Sequence, residues 1–281
     1  VPELLIHVTD LRPENIYLVP KDLDALSEDE VYEMLGRPDM LIVEHKYRDH
    51  VSTSVPDYLI PRADLKKLGS IHLSSNICLI DYSSAFAIDL PPAEPKAPRE
   101  YLPPEVLLEQ RDASTILGRA TDLWALGCTL FEIREQDQLV DNSEDPDETV
   151  FNIITLLGIL PDKLWETFYE RDDFFCCDEE GRYLIDYKDD WILLDSYLRE
   201  SNQSQGKVNH PDPSHWQHGK EPGLRGRATL PAPERELFID LLLSLLSYEP
   251  TKRATAEQTL SHSWFKLWAE LNEIPGGLRT Y

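Results

Sequence analysis

Short apolar runs broken by polar loops dominate the first third of the chain, and longer helical patterns fill the rest. Val1 to Val8 is an apolar stretch that enters the polar turn Thr9 to Asn15 and is followed by the apolar run Ile16 to Val19. That order predicts strand, loop, strand. From about Lys21 to Ser75 the composition becomes polar and irregular, except that Ser27 to Glu30 forms a capping box opening a short helix that Gly36 can close. Asn76 to Asp81 reads as an apolar strand ending in a carboxylate, and Pro91, Pro92, Pro95 and Pro98 then predict an extended loop up to Pro103 and Pro104. Arg119 to Glu132 is apolar on nearly all sides, the mark of a helix buried mid-domain. Asp147 to Leu157 and Pro161 to Tyr169 read as amphipathic helices, and Ser201 to Gly226 has little to bury and reads as a mobile surface loop. Ala232 to Ser247 is helical again, and Thr255 caps a final helix through Trp264 toward Leu271. The expected fold class is mainly α with small β elements.

Composition narrows the partners. With 281 residues and 41% hydrophobic positions the chain can bury a core. No run is long and apolar enough to predict a membrane span, and no secretory leader precedes the first strand, so an intracellular location, cytoplasm or nucleus, is expected. A formal charge of −25 argues against direct nucleic-acid binding, which needs Lys and Arg to neutralise phosphates. It favours a basic partner, and equally fits a surface that acidity merely keeps solvated. Cys78, Cys128, Cys176 and Cys177 lack C-x-x-C spacing and are expected to be reduced, with no metal site. The first residue is Val1, and Met34 and Met40 are the only methionines, so the sequence is expected not to begin at its own initiator, being a fragment, a processed product or a misdrawn gene model.

The polar turn after the first strand carries Asp10 and Asn15 five residues apart, and a later strand ends at Asp81. Phosphoryl transfer needs a carboxylate to orient the attacking hydroxyl, a cation near the phosphate, and an amide and a carboxylate to hold Mg²⁺. The order of motifs resembles the C-terminal half of a eukaryotic protein kinase. Asp10 to Asn15 stands as D-L-x-x-x-N, Asp81-Tyr82-Ser83 at the D-F-G position, and Pro103-Pro104-Glu105 at A-P-E. Asp122 to Gly127 looks like the central helix motif of the large lobe, and Pro250 to Ala256 with His262 to Phe265 like its closing segment. The resemblance covers nearly the whole chain. It implies a kinase-like large (C-terminal) lobe, with a spacer-like insertion at about 20–75 and an acidic, polar insertion at about 170–230, and no N-terminal lobe.

That resemblance implies ATP and Mg²⁺ as cofactors. Asp10 would be the base for the substrate hydroxyl, Arg12 would contact phosphate where such kinases usually carry Lys, and Asn15 and Asp81 would be the Mg²⁺ ligands. It further implies a buried Glu105–Arg253 ion pair and an Asp122 that bonds the catalytic-loop backbone. Departures are His7 one position from the family's histidine, and Tyr82 and Ser83 at the Phe and Gly of D-F-G. Thr9 before Asp10, the long spacer, and a segment from Glu135 to Asp190 with 18 acidic against 4 basic residues resemble fungal SR-protein-kinase-like enzymes, implying Arg/Ser-rich protein substrates. Ala85 to Glu100 contains no Ser, Thr or Tyr, which fits either constitutive ordering of this loop or plain proline stiffness. Two functions stay open: a Ser/Thr kinase whose present residues are inactive alone, and a pseudokinase-like module that binds basic peptides.

Overall fold

The computed structural model describes residues 6–7, 10–44, 55–64, 67, 72–87, 90, 92, 94–108, 117–175, 194, 198 and 230–272. The expected loop at 201–226, Thr9, Cys176 and Cys177 lie outside the described residues. The chain divides into two compact units, Val1–Asn15 with Asp81–Tyr281, and Ile16–Ile80.

The larger unit begins with β1 (Ile6–His7), a loop at Asp10 to Arg12, and a 3₁₀ turn over Pro13–Asn15. The smaller unit then holds β2 (Ile16–Pro20), α1 (Glu28–Leu35), β3 (Leu41–Ile42), β4 (Tyr58–Leu59) and β5 (Leu73–Leu79). β2 pairs antiparallel with β5, with Ile16 opposite Leu79 and Leu18 opposite Ile77, and the register shifts before Pro20 meets Leu73. Pro20 has no N–H to give a ladder, so the irregularity falls where the sequence tolerates it. This pairing also starts β5 three residues before the strand expected at Asn76. β3 and β4 form a second short ladder, with Leu41 opposite Leu59. Ser27 caps α1 as expected: its N–H donates to Glu30 Oε2 at 2.7 Å and Glu30 N–H returns to Ser27 Oγ at 3.4 Å. Gly36 closes α1 with φ +86°, a backbone state that favours glycine.

Back in the larger unit, β6 (Phe86–Ala87) pairs antiparallel with β1, His7 opposite Phe86. The helices follow: α2 (Pro104–Leu108), α3 (Arg119–Glu135), α4 (Pro146–Leu157), α5 (Asp162–Thr167), α6 (Arg171–Phe174), α7 (Ala232–Leu245), α8 (Ala256–Leu260) and α9 (Ser263–Asn272). This is the mostly helical composition with few strands that the pattern predicted. α3 runs through the core, burying Trp124, Ala125, Cys128 and Phe131 against α7, which buries Phe238, Leu241, Leu242 and Leu245. Gly127 sets the closeness of that contact, since a Cβ there would lie 2.9 Å from Leu246 Cδ2 and 3.2 Å from Leu245 Cβ. A second cluster stacks Phe151 on Phe174 at 5.2 Å and sets Trp165 against Phe175 at 5.2 Å, which explains the amphipathic pattern of α4 and α5.

Two local readings change. Thr255 caps α8 alone, its side chain accepting from Gln258 N–H, and the helix ends at Leu260 with Ser261 as its C-cap. His262 Nδ1 accepts the N–H of Trp264 at 3.2 Å, so the imidazole satisfies a first-turn amide and starts α9 as a separate helix. The proline-rich loop also contains one 3₁₀ turn, Arg99–Tyr101, set between Pro98 and Pro103 where no proline interrupts it.

The expected Glu105–Arg253 pair is present and buried. Arg253 Nη2 donates to Glu105 Oε2 at 2.8 Å, Nη1 lies 2.7 Å from Oε1, and the two residues are 4% and 5% exposed. Arg253 also donates from Nε to Ser247 O at 2.8 Å and from Nη1 to Ala120 O at 2.9 Å, and its guanidinium sits 5.0 Å from the Trp124 ring centroid. One side chain therefore joins α2, the start of α3 and the turn after α7. Arg253→Ala strands the Glu105 carboxylate and should lower stability by about 3–5 kcal/mol. Arg253→Lys keeps the charge without the fork and should fall between the two. Urea unfolding midpoints check both, and parental midpoints in both variants would show that the pair carries no stability.

Candidate active site

The Asp10 loop is held by hydrogen bonds from below and beside it. Pro13 opens the 3₁₀ turn, whose closing amide, Asn15 N–H, donates to Arg12 O at 3.0 Å. That turn buries Asn15 to 7% exposure and aims its amide back along the loop. Asn15 Nδ2 donates to Asp10 O at 2.9 Å and to Asp10 Oδ2 at 3.0 Å. Both donor contacts being spent on Asp10, Asn15 Oδ1 is the atom left to face a cation. Arg12 Nε lies 3.1 Å from Asp10 Oδ1, yet neither atom makes a well-directed hydrogen bond among the described residues. The contact is one of charge, and Oδ1 keeps its capacity to accept a proton donor. Thr129 on α3 donates to Leu11 O at 2.9 Å, tying the loop to the buried helix. Sequence reasoning missed Thr129, because a threonine inside a helix pattern signals nothing until a partner is near. The expected contact of Asp122 with the loop backbone is not resolved on this ground, since residues 8 and 9 lie outside the described set; Asp122 itself sits in the first turn of α3.

Asp81 follows β5 and adopts φ 58°, ψ 64°, a left-handed state uncommon for a residue with a side chain. Such states cluster at functional sites because the surroundings must hold them. Here the holding group is Ser83, whose Oγ donates to Asp81 Oδ1 at 2.6 Å and whose N–H donates to the same oxygen at 3.4 Å. The Ser83 hydroxyl and then its amide hold the Asp81 carboxyl below the usual aspartate range; burial opposes them, and the Arg12 charge adds the smallest lowering effect. Ser83 needs no glycine-like freedom, because the positive φ of this turn lies at Asp81. The β1–β6 ladder is antiparallel, so the chain leaving β1 toward Asp10 and the chain entering β6 from Asp81 meet at one end of it. Asp10, Arg12 and Asn15 are thus in direct contact, and Asp81 stands at the same end within reach of the Arg12 field; its hydrogen bonds go to Ser83 and, among the described residues, not to Asn15.

The protein kinase domain family matches residues 63–265 of the chain. The chain belongs to the protein kinase family. The match includes Asp81, Glu105, Asp122 and Arg253, and the Asp10 loop precedes it. Over 282 aligned residues the kinase chain is 24% identical to Serine/threonine-protein kinase SRPK of Physarum polycephalum, covering 92% of this chain and 55% of that protein. It is 29% identical over 195 residues to Dual specificity tyrosine-phosphorylation-regulated kinase mbk-2 of Caenorhabditis elegans, covering 68% of this chain and 21% of that one. Against Dual specificity tyrosine-phosphorylation-regulated kinase 3 of Mus musculus the identity is 30% over 170 residues, 59% of this chain and 25% of the other. The chain therefore spans about half or less of the length of these relatives. Among the described residues no helix of the chain is long and apolar enough to cross a membrane. No cluster of three His, Cys, Asp or Glu side chains suited to a metal occurs among them either. An Asn oxygen and one exposed carboxylate are a hard-oxygen set of the kind that holds Mg²⁺ jointly with substrate phosphates rather than alone.

The Asp81 turn gives a pH prediction. A carboxyl held below its unfolded value contributes stability above that unfolded value and loses it as pH falls through the lowered one. Ser83→Ala removes the largest cause and should move the Asp81 titration upward, toward the ordinary aspartate range. Carboxyl ¹³C shifts followed against pH measure this, and an unmoved midpoint would show that Ser83 does not hold the group.

Proposed function

We propose that these residues form the large-lobe portion of a protein serine/threonine kinase that transfers the γ-phosphoryl group of ATP, with Mg²⁺, to serine in basic, Arg/Ser-rich protein substrates. The observation that carries this reading is the Asp10 carboxylate, fixed through Oδ2 by Asn15 while Oδ1 lacks a directed donor and faces the Arg12 charge. In this role Asp10 accepts the proton of the serine hydroxyl as the serine oxygen forms its new bond to the γ-phosphorus and the bond from that phosphorus to the β,γ-bridging oxygen breaks, ADP leaving. Arg12 balances negative charge on the transferred group, as a planar fork rather than a compact ammonium. Asn15 Oδ1 and the Asp81 carboxylate would hold Mg²⁺, which when bound neutralises charge on the phosphates. Residues at about 20–75 serve as a spacer and those at about 170–230 as an acidic, polar insertion.

The slime-mould relative is a serine/threonine kinase by name, which supports the residue class. The substrate class is supported by exposed Asp137, Asp141, Glu144, Asp145 and Glu148 before and within α4, and by Asp162, Glu166 and Glu170 beyond it. The G-x-G-x-x-G loop that covers ATP phosphates in kinases does not occur in the 281 residues.

The 281-residue chain alone should therefore transfer no measurable phosphate to an Arg-Ser repeat peptide. A longer chain that adds a Gly-rich strand pair and its Lys should do so, and Asp10→Asn in that longer chain should abolish transfer, read by ³²P incorporation. Strong transfer by the 281 residues alone, or an active Asp10→Asn, would contradict the assignment. Binding of the same peptide should weaken steeply between low and physiological salt as exposed charge is screened. Equal affinity for an acidic control peptide would remove the basic-substrate reading.

A further inference from the structure

Within the smaller unit, β3 and β4 form a two-stranded ladder whose apolar side chains stand open to solvent. Leu41 is opposite Leu59 and Ile42 opposite Tyr58, and beyond them the Val43 N–H donates to Asp57 O at 3.0 Å. Side chains along a strand alternate between faces, so this register puts Met40, Ile42, Tyr58 and Ile60 on one face and Leu41 and Leu59 on the other. The four on the first face are 63%, 73%, 46% and 56% exposed. Single exposed apolar residues are ordinary, but a contiguous group of large ones marks a surface that something covers. Two strands by themselves are also marginal in water, and they hold when an apolar layer packs against them.

Area and charge together name the occupant. Four large side chains at these exposures leave about 500 Å² of apolar surface open on each chain, so stacking two such faces removes about 1,000 Å² from water, the lower end of specific association. Charge argues against a partner of opposite sign. Residues 37–64 carry four Lys or Arg against five Asp or Glu, whereas the whole chain carries 27 against 52. The ladder therefore lies in a nearly neutral stretch of a strongly acidic chain, and Asp39 and Glu44 beside β3 with Asp57 and Arg62 beside β4 give its rim both signs. An apolar face with a mixed rim matches itself, and two copies meet there against less repulsion than acidic surfaces elsewhere would impose. A two-fold axis uses the one patch twice.

We propose that this face pairs two copies of the chain, with Met40, Ile42, Tyr58 and Ile60 of one stacking on the same four residues of the other as a weak, reversible dimer. Leu41 and Leu59 stay outside the contact. The pairing is independent of the kinase reading, since it uses no residue of the Asp10 loop or the Asp81 turn.

Sedimentation equilibrium of the 281-residue protein over a wide concentration range tests this. A monomer–dimer equilibrium in the micromolar range is expected, and added salt should tighten it by screening the acidic repulsion between copies. Ile42→Lys and Ile60→Lys should each weaken the dimer about tenfold or more, because each sets a charge against its own symmetry mate in an apolar contact. Leu41→Lys, on the opposite face, should leave the equilibrium unchanged. All three side chains are more than half exposed, so the variants should keep the parental far-UV circular dichroism. A monomer at every concentration would overturn the proposal and leave the face to a different protein. A dimer that loosens with salt, parental dimerisation in both Ile42→Lys and Ile60→Lys, or loss of the dimer in Leu41→Lys would overturn it equally. Phosphoryl transfer is not read in this experiment, so the kinase reading stands or falls separately.

Discussion

The large unit depends on one buried guanidinium. Arg253 closes a two-point bond with Glu105, caps the carbonyls of Ser247 and Ala120, and lies against Trp124, so three segments far apart in sequence share one set of contacts. Buried ion pairs often add little net stability over an apolar replacement, since desolvation offsets attraction. What this pair supplies is position: every donor and acceptor has a single partner arrangement, and α2, α3 and the turn before α8 cannot shift without stranding a charge. A second buried pair, Arg134 with Glu234 at 2.9 Å and 3.2 Å, fixes the far end of α3 against α7 in the same way. The close approach at Gly127 then lets the apolar faces of both helices fill the space between those two anchors.

The site inherits this rigidity. α3 is anchored at both ends, and from its middle Thr129 donates to Leu11 O, so the Asp10 loop is hung from a buried helix. Asn15 then sets the carboxylate and Ser83 sets Asp81, each through two hydrogen bonds from neighbouring residues. Chemical groups on loops are accurate only when a scaffold fixes them, and here the chain from core to carboxylate is short. The αL state of Asp81 belongs to the same economy, because strain at one residue is tolerated where its side chain is bonded on the spot.

Much of this was legible in the residues. The buried helix α3, the capped helix α1, the amphipathic helices α4 and α5 and the Glu105–Arg253 pair all followed from periodicity, capping or motif order. The unread parts share a physical cause: they depend on side chains meeting across long sequence separations. Thr129 and Leu11 are 118 positions apart and neither is unusual locally. Glu100, whose buried Oε2 has no hydrogen-bond partner among the described residues, looked like one more acidic residue in a proline-rich loop, since burial has no signature in so short a segment. His262 replaced an expected helix interior by a helix start, a role that imidazole seldom takes and pattern reading does not assign. Ser83 is the reverse case: it read as a departure from Gly at that place, and the structure makes it the group that sets Asp81.

The central claim is that the Asp10 loop and the Asp81 turn serve one cation-dependent site, and paramagnetic broadening by Mn²⁺ in the presence of ATP tests it most directly, because it reports even weak, transient occupancy. The account predicts that the Asn15 side-chain amide and the Ser83 backbone amide broaden together along one Mn²⁺ titration, and that Asp81→Asn abolishes the effect at both. Broadening at one without the other, or at neither while the exposed carboxylates of α4 and α5 respond, would contradict it.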